Sequence, residues 1–170
     1  MLRNIKEVDE ERIAAMGWCM GGHPILELSR MNVRGVKALV TFHGVFDGIV
    51  EEDTETSKDD HDHDDHDNDH DDMNISTGRD DENNKSNQKC ALICNGMSDP
   101  FVSLENLDVG KRTFEKNLWE TKVLNFENVK HGFTNPAQDY NPSEAFGYND
   151  DAAKASWEAA KNLLRKQLLI

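Results

Sequence analysis

The feature that most constrains this chain is residues 13–22, which read Ile-Ala-Ala-Met-Gly-Trp-Cys-Met-Gly-Gly. A short apolar run from Ile13 to Met16 ends at Gly17, and Cys19 follows two residues later. Beyond Gly21 and Gly22 comes an apolar helical pattern, Pro24-Ile25-Leu26-Glu27-Leu28. Strand, sharp turn and helix in so few residues put one side chain, that of Cys19, at the apex. The spacing Gly17-x-Cys19-x-Gly21 is the nucleophile-elbow pattern with cysteine in place of serine. A reactive group lifted off a sheet on a strained turn is expected to leave no room for Cβ atoms two residues to either side, so glycine suits both places. A helix opening just after Cys19 presents free N–H groups and positive dipole to a thiolate, and to an oxyanion formed beside it. A glycine-rich turn around a buried, inert cysteine accounts for the same ten residues. The rest of the chain has to separate the two.

Length permits one domain with a sizeable core, since the chain has 170 residues. Its formal charge of −14 suggests a strongly acidic protein, but the charge is local. Residues 51–87 hold 16 acids against Lys58, Arg79 and Lys85, a net of −13, which leaves the remainder near neutral. No basic face for nucleic acid is present in the pattern, so no nucleic-acid partner is expected. Three unclustered cysteines give neither a disulfide framework nor zinc spacing, which fits a reducing, cytoplasmic setting. No apolar run is long enough to span a bilayer, and the first residues carry no signal-like apolar core, so no membrane partner is expected.

Along the chain, Leu2, Ile5 and Val8 recur at helical spacing and predict the end of a helix leading into the first strand. A helix is expected over residues 22–31. The run Val-Lys-Ala-Leu-Val-Thr-Phe at 36–42 predicts a buried strand that ends in the turn His43-Gly44. Strand, helix, strand at this spacing implies a parallel βαβ unit. Residues 51–87 then break every periodic pattern, and their His/Asp-rich centre has no apolar side chain. Such a segment cannot bury enough surface to offset chain entropy, so it is read as a disordered insertion within one domain, 1–170. Mixed His and Asp could collect divalent ions loosely, although a specific site needs ligands in fixed geometry; a solvated acidic loop accounts for the same residues.

Order returns at 89–95, another buried strand, ending in Gly96-Met97-Ser98-Asp99-Pro100. A helix is predicted over 104–118, weakened by Gly110, and a final strand over 121–127. The last helix starts at Asp150-Asp151, with Ala153, Trp157, Ala160, Leu164 and Leu168 as its buried stripe. Cys90 and Cys94 are expected to serve packing only.

Three residues thus stand at corresponding places. Cys19, Asp99 and His131 each lie just past the end of a predicted parallel strand, where ligands and reactive groups collect in open α/β sheets. The order nucleophile, acid, histidine is that of the α/β-hydrolases. In that arrangement His131 takes the thiol proton, Asp99 fixes the histidine tautomer, and Cys19 attacks a carbonyl carbon. Each residue has a plainer alternative: Asp99 before Pro100 as a turn former, His131 before Gly132 as a loop histidine bonded to backbone.

The sequence resembles the dienelactone hydrolases, also called carboxymethylenebutenolidases, over nearly its whole length outside 51–87. The resemblance rests on Gly17-Trp18-Cys19-Met20-Gly21-Gly22, Thr41-Phe42-His43-Gly44, Ser98-Asp99-Pro100-Phe101-Val102, His131-Gly132-Phe133-Thr134-Asn135-Pro136 and Ala145-Phe146-Gly147-Tyr148-Asn149. It implies an α/β-hydrolase type parallel sheet flanked by helices and a Cys-His-Asp triad of Cys19, His131 and Asp99. It also implies a small-molecule ester or lactone substrate, a thioester acyl-enzyme and no cofactor. The Met20 N–H is the implied oxyanion donor.

Two departures shape the expectation. Family members carry about as much chain again before the elbow, supplying the earlier strands and a second oxyanion donor, so this chain is expected to match the C-terminal half. Losing one donor weakens transition-state stabilisation by about 3–4 kcal/mol. Members that cleave dienelactones place an arginine four residues after the histidine to hold a substrate carboxylate. Asn135 stands there in this chain, which points toward the family's less defined carboxylic-ester hydrolases. Two other functions compete with ester hydrolysis: a catalytically weak or inactive fragment, and an acidic metal-buffering or interaction protein built on the His/Asp run.

Overall fold

The structure, a computed structural model, describes residues 5–46 and 88–168. Four strands form one sheet: β1 (Ile13–Trp18), β2 (Val36–Phe42), β3 (Lys89–Gly96) and β4 (Trp119–Phe126). They are parallel and lie in sequence order, β1-β2-β3-β4. Among the described residues three helices flank them: α1 (Gly22–Arg30), α2 (Leu104–Lys116) and α3 (Asp150–Leu168). The expected disordered insertion at 51–87 lies outside the described residues.

Strand periodicity divides the core into two layers. Leu39, Ala91 and Ile93 face α1 and α2, meeting Ile25, Leu26, Leu107 and Phe114. The alternate positions Val40, Phe42, Leu92 and Cys94 face the other way, toward Val129, Phe133, Ala152 and Ala160. With both faces covered, β2 and β3 read as nearly unbroken apolar runs, the pattern of interior parallel strands.

Several boundaries differ from expectation for identifiable reasons. No helix precedes β1 in the described residues, because Ile5–Arg12 runs as turns. The Asp9 carboxylate accepts from the Glu11 N–H at 2.9 Å and from the Arg12 guanidinium at 2.6 Å, local bonds that compete with helix formation. Helix α2 stops at Lys116 because Leu118 has φ +63°, and β4 begins two residues early so that buried Trp119 can donate its indole N–H to Ser29 O at 3.3 Å. Gly110 sits where a Cβ would come within 2.9 Å of the Phe46 ring, so its cost in helix propensity is matched by close packing of a fully buried aromatic.

The buried stripe of α3 includes Ala160 as expected but runs through Ala152 and Ser156 in place of Ala153 and Trp157. Ala152, Ser156 and Ala160 face the sheet, while Trp157 is 44 % exposed. Small side chains let the helix lie close to β2 and β3, and Trp157 moves to the rim, where it meets Phe42 at 6.2 Å.

Candidate active site

Cys19 occupies the first position of a short 3₁₀ turn between β1 and α1, with φ +54°. A left-handed backbone at a non-glycine residue is strained, and it persists only when its surroundings over-determine it. They do so here. A Cβ on Gly17 would stand 2.2 Å from Gly21 O and 2.8 Å from Ile25 Cγ1, so only glycine admits the turn. Gly21 needs no such explanation: a Cβ there would have no neighbour within 4 Å, contrary to the symmetric expectation. The second tight glycine is Gly22, whose Cβ would meet Gly44 Cα at 2.5 Å. That approach brings the segment after β2 against the elbow, and the Val45 N–H donates to Cys19 O at 3.0 Å.

The acid and the histidine arrive on two loops tied to each other. After β3, Asp99 Oδ1 accepts from the Phe101 N–H at 2.9 Å, an Asx turn, while Oδ2 lies 2.6 Å from His131 Nδ1. Asp99 thus forms a turn with one carboxylate oxygen and lies within hydrogen-bond distance of His131 with the other. Ser98 N–H donates to Val129 O at 2.9 Å, which fixes one loop against the other. His131 is also held through its own backbone, donating to Ala145 O and accepting from Gly147 N–H. Both side chains are buried, and His131 Nε2 stands 3.1 Å from Cys19 Sγ. A carboxylate accepts, so the Asp99 contact suits the tautomer with its proton on Nδ1, in which Nε2 is the nitrogen that faces sulfur. Phe101 and Phe146 flank the imidazole, with centroids at 5.0 and 5.3 Å. The other cysteines stand apart: Cys94 is fully buried and its thiol is pushed up to about 12 by desolvation. Cys90, pushed up to about 11 by burial and Glu120, meets Glu120 and Gln167, so its role extends beyond apolar packing.

His43 is the site residue that sequence reasoning did not single out. It follows β2 directly, at the same sheet end as Cys19, and has φ +40°. Its ring meets His131 edge-on at 4.8 Å, and Nε2 lies 3.0 Å from Thr134 Oγ1. Its Nδ1 is buried without a hydrogen-bond partner among the described residues. Burial first, and the neighbouring His131 second, push its pKa from 6.5 down to about 4, so it is neutral at ordinary pH. The available signal was its position, one step past a strand whose neighbours carry Cys19 and Asp99 at the same end.

Cys19, His43 and His131 open into a cleft of about 430 Å³, together with Trp18, Thr134, Asn135, Gln138 and Phe146. Met20, two-thirds of whose side chain or more is exposed, occupies the second position of the 3₁₀ turn. Among the described residues no cluster of three or more His, Cys, Asp or Glu is arranged to hold a metal ion, and no helix is long and apolar enough to cross a membrane.

A parallel sheet with a strained strand-to-helix elbow, and with acid and histidine from later strand ends, is an α/β-hydrolase type fold. Comparison with known proteins narrows this. The profile of the Dienelactone hydrolase family matches residues 1–168, and the chain belongs to that family. The structure named m3DLH is 26 % identical with TM-score 0.68, the match covering 97 % of this chain and 56 % of that one. A dienelactone hydrolase-like promiscuous phosphotriesterase from metagenomic libraries is 27 % identical with TM-score 0.67, covering 98 % of this chain and 56 % of its own. The chain thus spans little more than half the length of these solved relatives. An uncharacterized Caenorhabditis elegans protein is 22 % identical over 165 residues, 97 % of this chain and 86 % of its own length.

Proposed function

We propose that this chain hydrolyses carboxylic esters or lactones through a Cys19 nucleophile, with His131 as the proton carrier and Asp99 as its orienting acid. The observation that carries this reading is the unbroken line from Asp99 Oδ2 to His131 Nδ1, 2.6 Å, and from His131 Nε2 to Cys19 Sγ, 3.1 Å. Both distances lie within the reach needed for a nucleophile and its base.

In the first half-reaction the thiol proton passes to His131 Nε2 as sulfur bonds to the carbonyl carbon, and the carbonyl oxygen becomes an oxyanion. The Met20 N–H, next in the turn, is the donor assigned to that oxygen. The C–O bond then breaks, and the alkoxide leaves with the proton from His131, so an alcohol departs and a thioester remains on Cys19. In the second half-reaction water gives a proton to His131 and its oxygen to the acyl carbon. The C–S bond breaks, the thiol recovers the proton, and a carboxylic acid is released. Water is the only co-reactant, and no cofactor enters these steps.

The imidazolium formed midway lies beside the Asp99 carboxylate and the ring of His43. A neutral His43 adds no repulsion there, which its buried position secures. Asn135, in the cleft wall, brings no positive charge to a substrate carboxylate, so uncharged esters suit the site. The described cysteines are all free, in keeping with a reducing, cytoplasmic setting.

The test is hydrolysis of p-nitrophenyl acetate by the purified chain and by Cys19→Ala and Cys94→Ala variants. Loss of turnover in Cys19→Ala with retention in Cys94→Ala is the expected result. Equal turnover by the wild type and Cys19→Ala would remove cysteine catalysis from the account.

A further inference from the structure

A second cavity of about 330 Å³ adjoins the catalytic cleft. It is lined by Trp18, Phe42, Ala153 and Trp157, with Thr134 and Tyr148 at its edge, and it shares Trp18 and Thr134 with the cleft that holds Cys19. Trp18 stacks on Phe42 at 4.9 Å with planes 12° apart, and Phe42 meets Trp157 at 6.2 Å. The two indoles are 42 % and 44 % exposed, so aromatic surface is available to a ligand rather than used up in the core. Among the described residues, the cation and the anion on the rim, Lys154 and Asp150, are committed to each other. Lys154 Nζ lies 2.5 Å from Asp150 Oδ2, and Tyr148 Oη donates to Asp150 Oδ1 at 2.9 Å. The slot therefore favours an uncharged, flat, apolar group, and aromatic walls of this kind prefer an aromatic ring.

Resting on the hydrolase reading above, we propose that this slot is an acyl-group subsite and that the substrates are uncharged esters of arylalkanoic acids. The end of the substrate follows from where the proton is. His131 Nε2 must reach the leaving oxygen, so the alcohol departs on the side of His131 and Phe146. Trp18, the residue directly before Cys19, lines both the cleft and the slot, so the acyl chain is assigned to that shared wall. A ring joined to the carbonyl through a short linker spans from Cys19 to the aromatic walls. The α3 register explains why the slot exists: small residues seat the helix against the sheet, and Trp157 is turned out to form the far wall.

The test compares p-nitrophenyl phenylacetate with p-nitrophenyl acetate, which share a leaving group and differ only in the acyl ring. Wild type is expected to show the higher kcat/KM on phenylacetate. Trp157→Ala is expected to lower the phenylacetate-to-acetate ratio about tenfold, mainly through KM, and Trp157→Phe to restore most of it. An unchanged ratio in Trp157→Ala overturns the subsite while leaving cysteine hydrolysis standing. Binding supplies the readout independent of turnover. Phenylacetamide added to Cys19→Ala should shift the indole N–H resonances of Trp18 and Trp157, and absence of any shift at saturating concentrations refutes the slot whether or not esters are cleaved.

Discussion

Replacing His43 by Gln isolates a single buried titration. Ordinary histidine titrates near 6.5, whereas burial and the adjacent His131 bring His43 down to about 4. The unfolded chain therefore takes up a proton as pH falls through 6.5, and the folded chain takes it up only near 4. In that window the unfolded state binds more protons, so stability rises with pH and is lost on acidification. The difference between the two values corresponds to about 3 kcal/mol by pH 4, without a discount for solvent because the residue is 5 % exposed. Glutamine can keep a polar contact with Thr134 but cannot titrate. Urea unfolding measured from pH 8 to pH 4 should show wild type losing about 3 kcal/mol more than His43→Gln, with parallel curves above pH 7. Parallel curves throughout the acid window would refute the depressed titration, and with it the argument that His43 stays neutral beside His131.

Three further outcomes follow from the same geometry. Gly17→Ala forces a Cβ against Gly21 O and Ile25, and should cost about 1–3 kcal/mol in chemical denaturation; Gly21→Ala meets nothing and should stay within about 0.5 kcal/mol of wild type. Asp99→Asn removes the group that fixes the Nδ1 proton of His131, and steady-state kinetics should show kcat falling by up to about 10⁴-fold with a much smaller change in KM. Iodoacetamide at pH 8 should alkylate Cys19, which opens on the cleft, while Cys90 and Cys94 react only on unfolding because their thiols are pushed up to about 11 and about 12; peptide mapping reads the order.

Much of this was legible in the sequence wherever one physical demand dominated. The run 36–42 has to be an interior strand because it is apolar on both faces, and the strand occupies those residues. The elbow was legible because Gly17 sits where only hydrogen fits. Asp99 and His131 stood out because each falls in the loop that follows a parallel strand, three residues past Gly96 and five past Phe126. Features set by tertiary packing were less so. Leu2, Ile5 and Val8 suggested a helix, but the Asp9 carboxylate supplies local bonds that win over residues 5–12. Helical spacing of the apolar side chains placed Trp157 in the buried stripe of α3, whereas close approach to the sheet selects Ala152, Ser156 and Ala160. His43 passed as a turn residue because nothing in its neighbours reveals that two loops, distant in sequence, close over it.

The most direct test of the central claim is to trap the acyl-enzyme. The chain is mixed with p-nitrophenyl acetate, quenched in acid within the first turnover, digested and analysed by mass spectrometry. An acetyl group on the peptide carrying Cys19, formed in step with p-nitrophenol release, discharged by hydroxylamine and missing in Cys19→Ser as a thioester, is the predicted result. Turnover with Cys19 unmodified at every quench time, or a stable acetyl group on another residue accounting for the released p-nitrophenol, would contradict it.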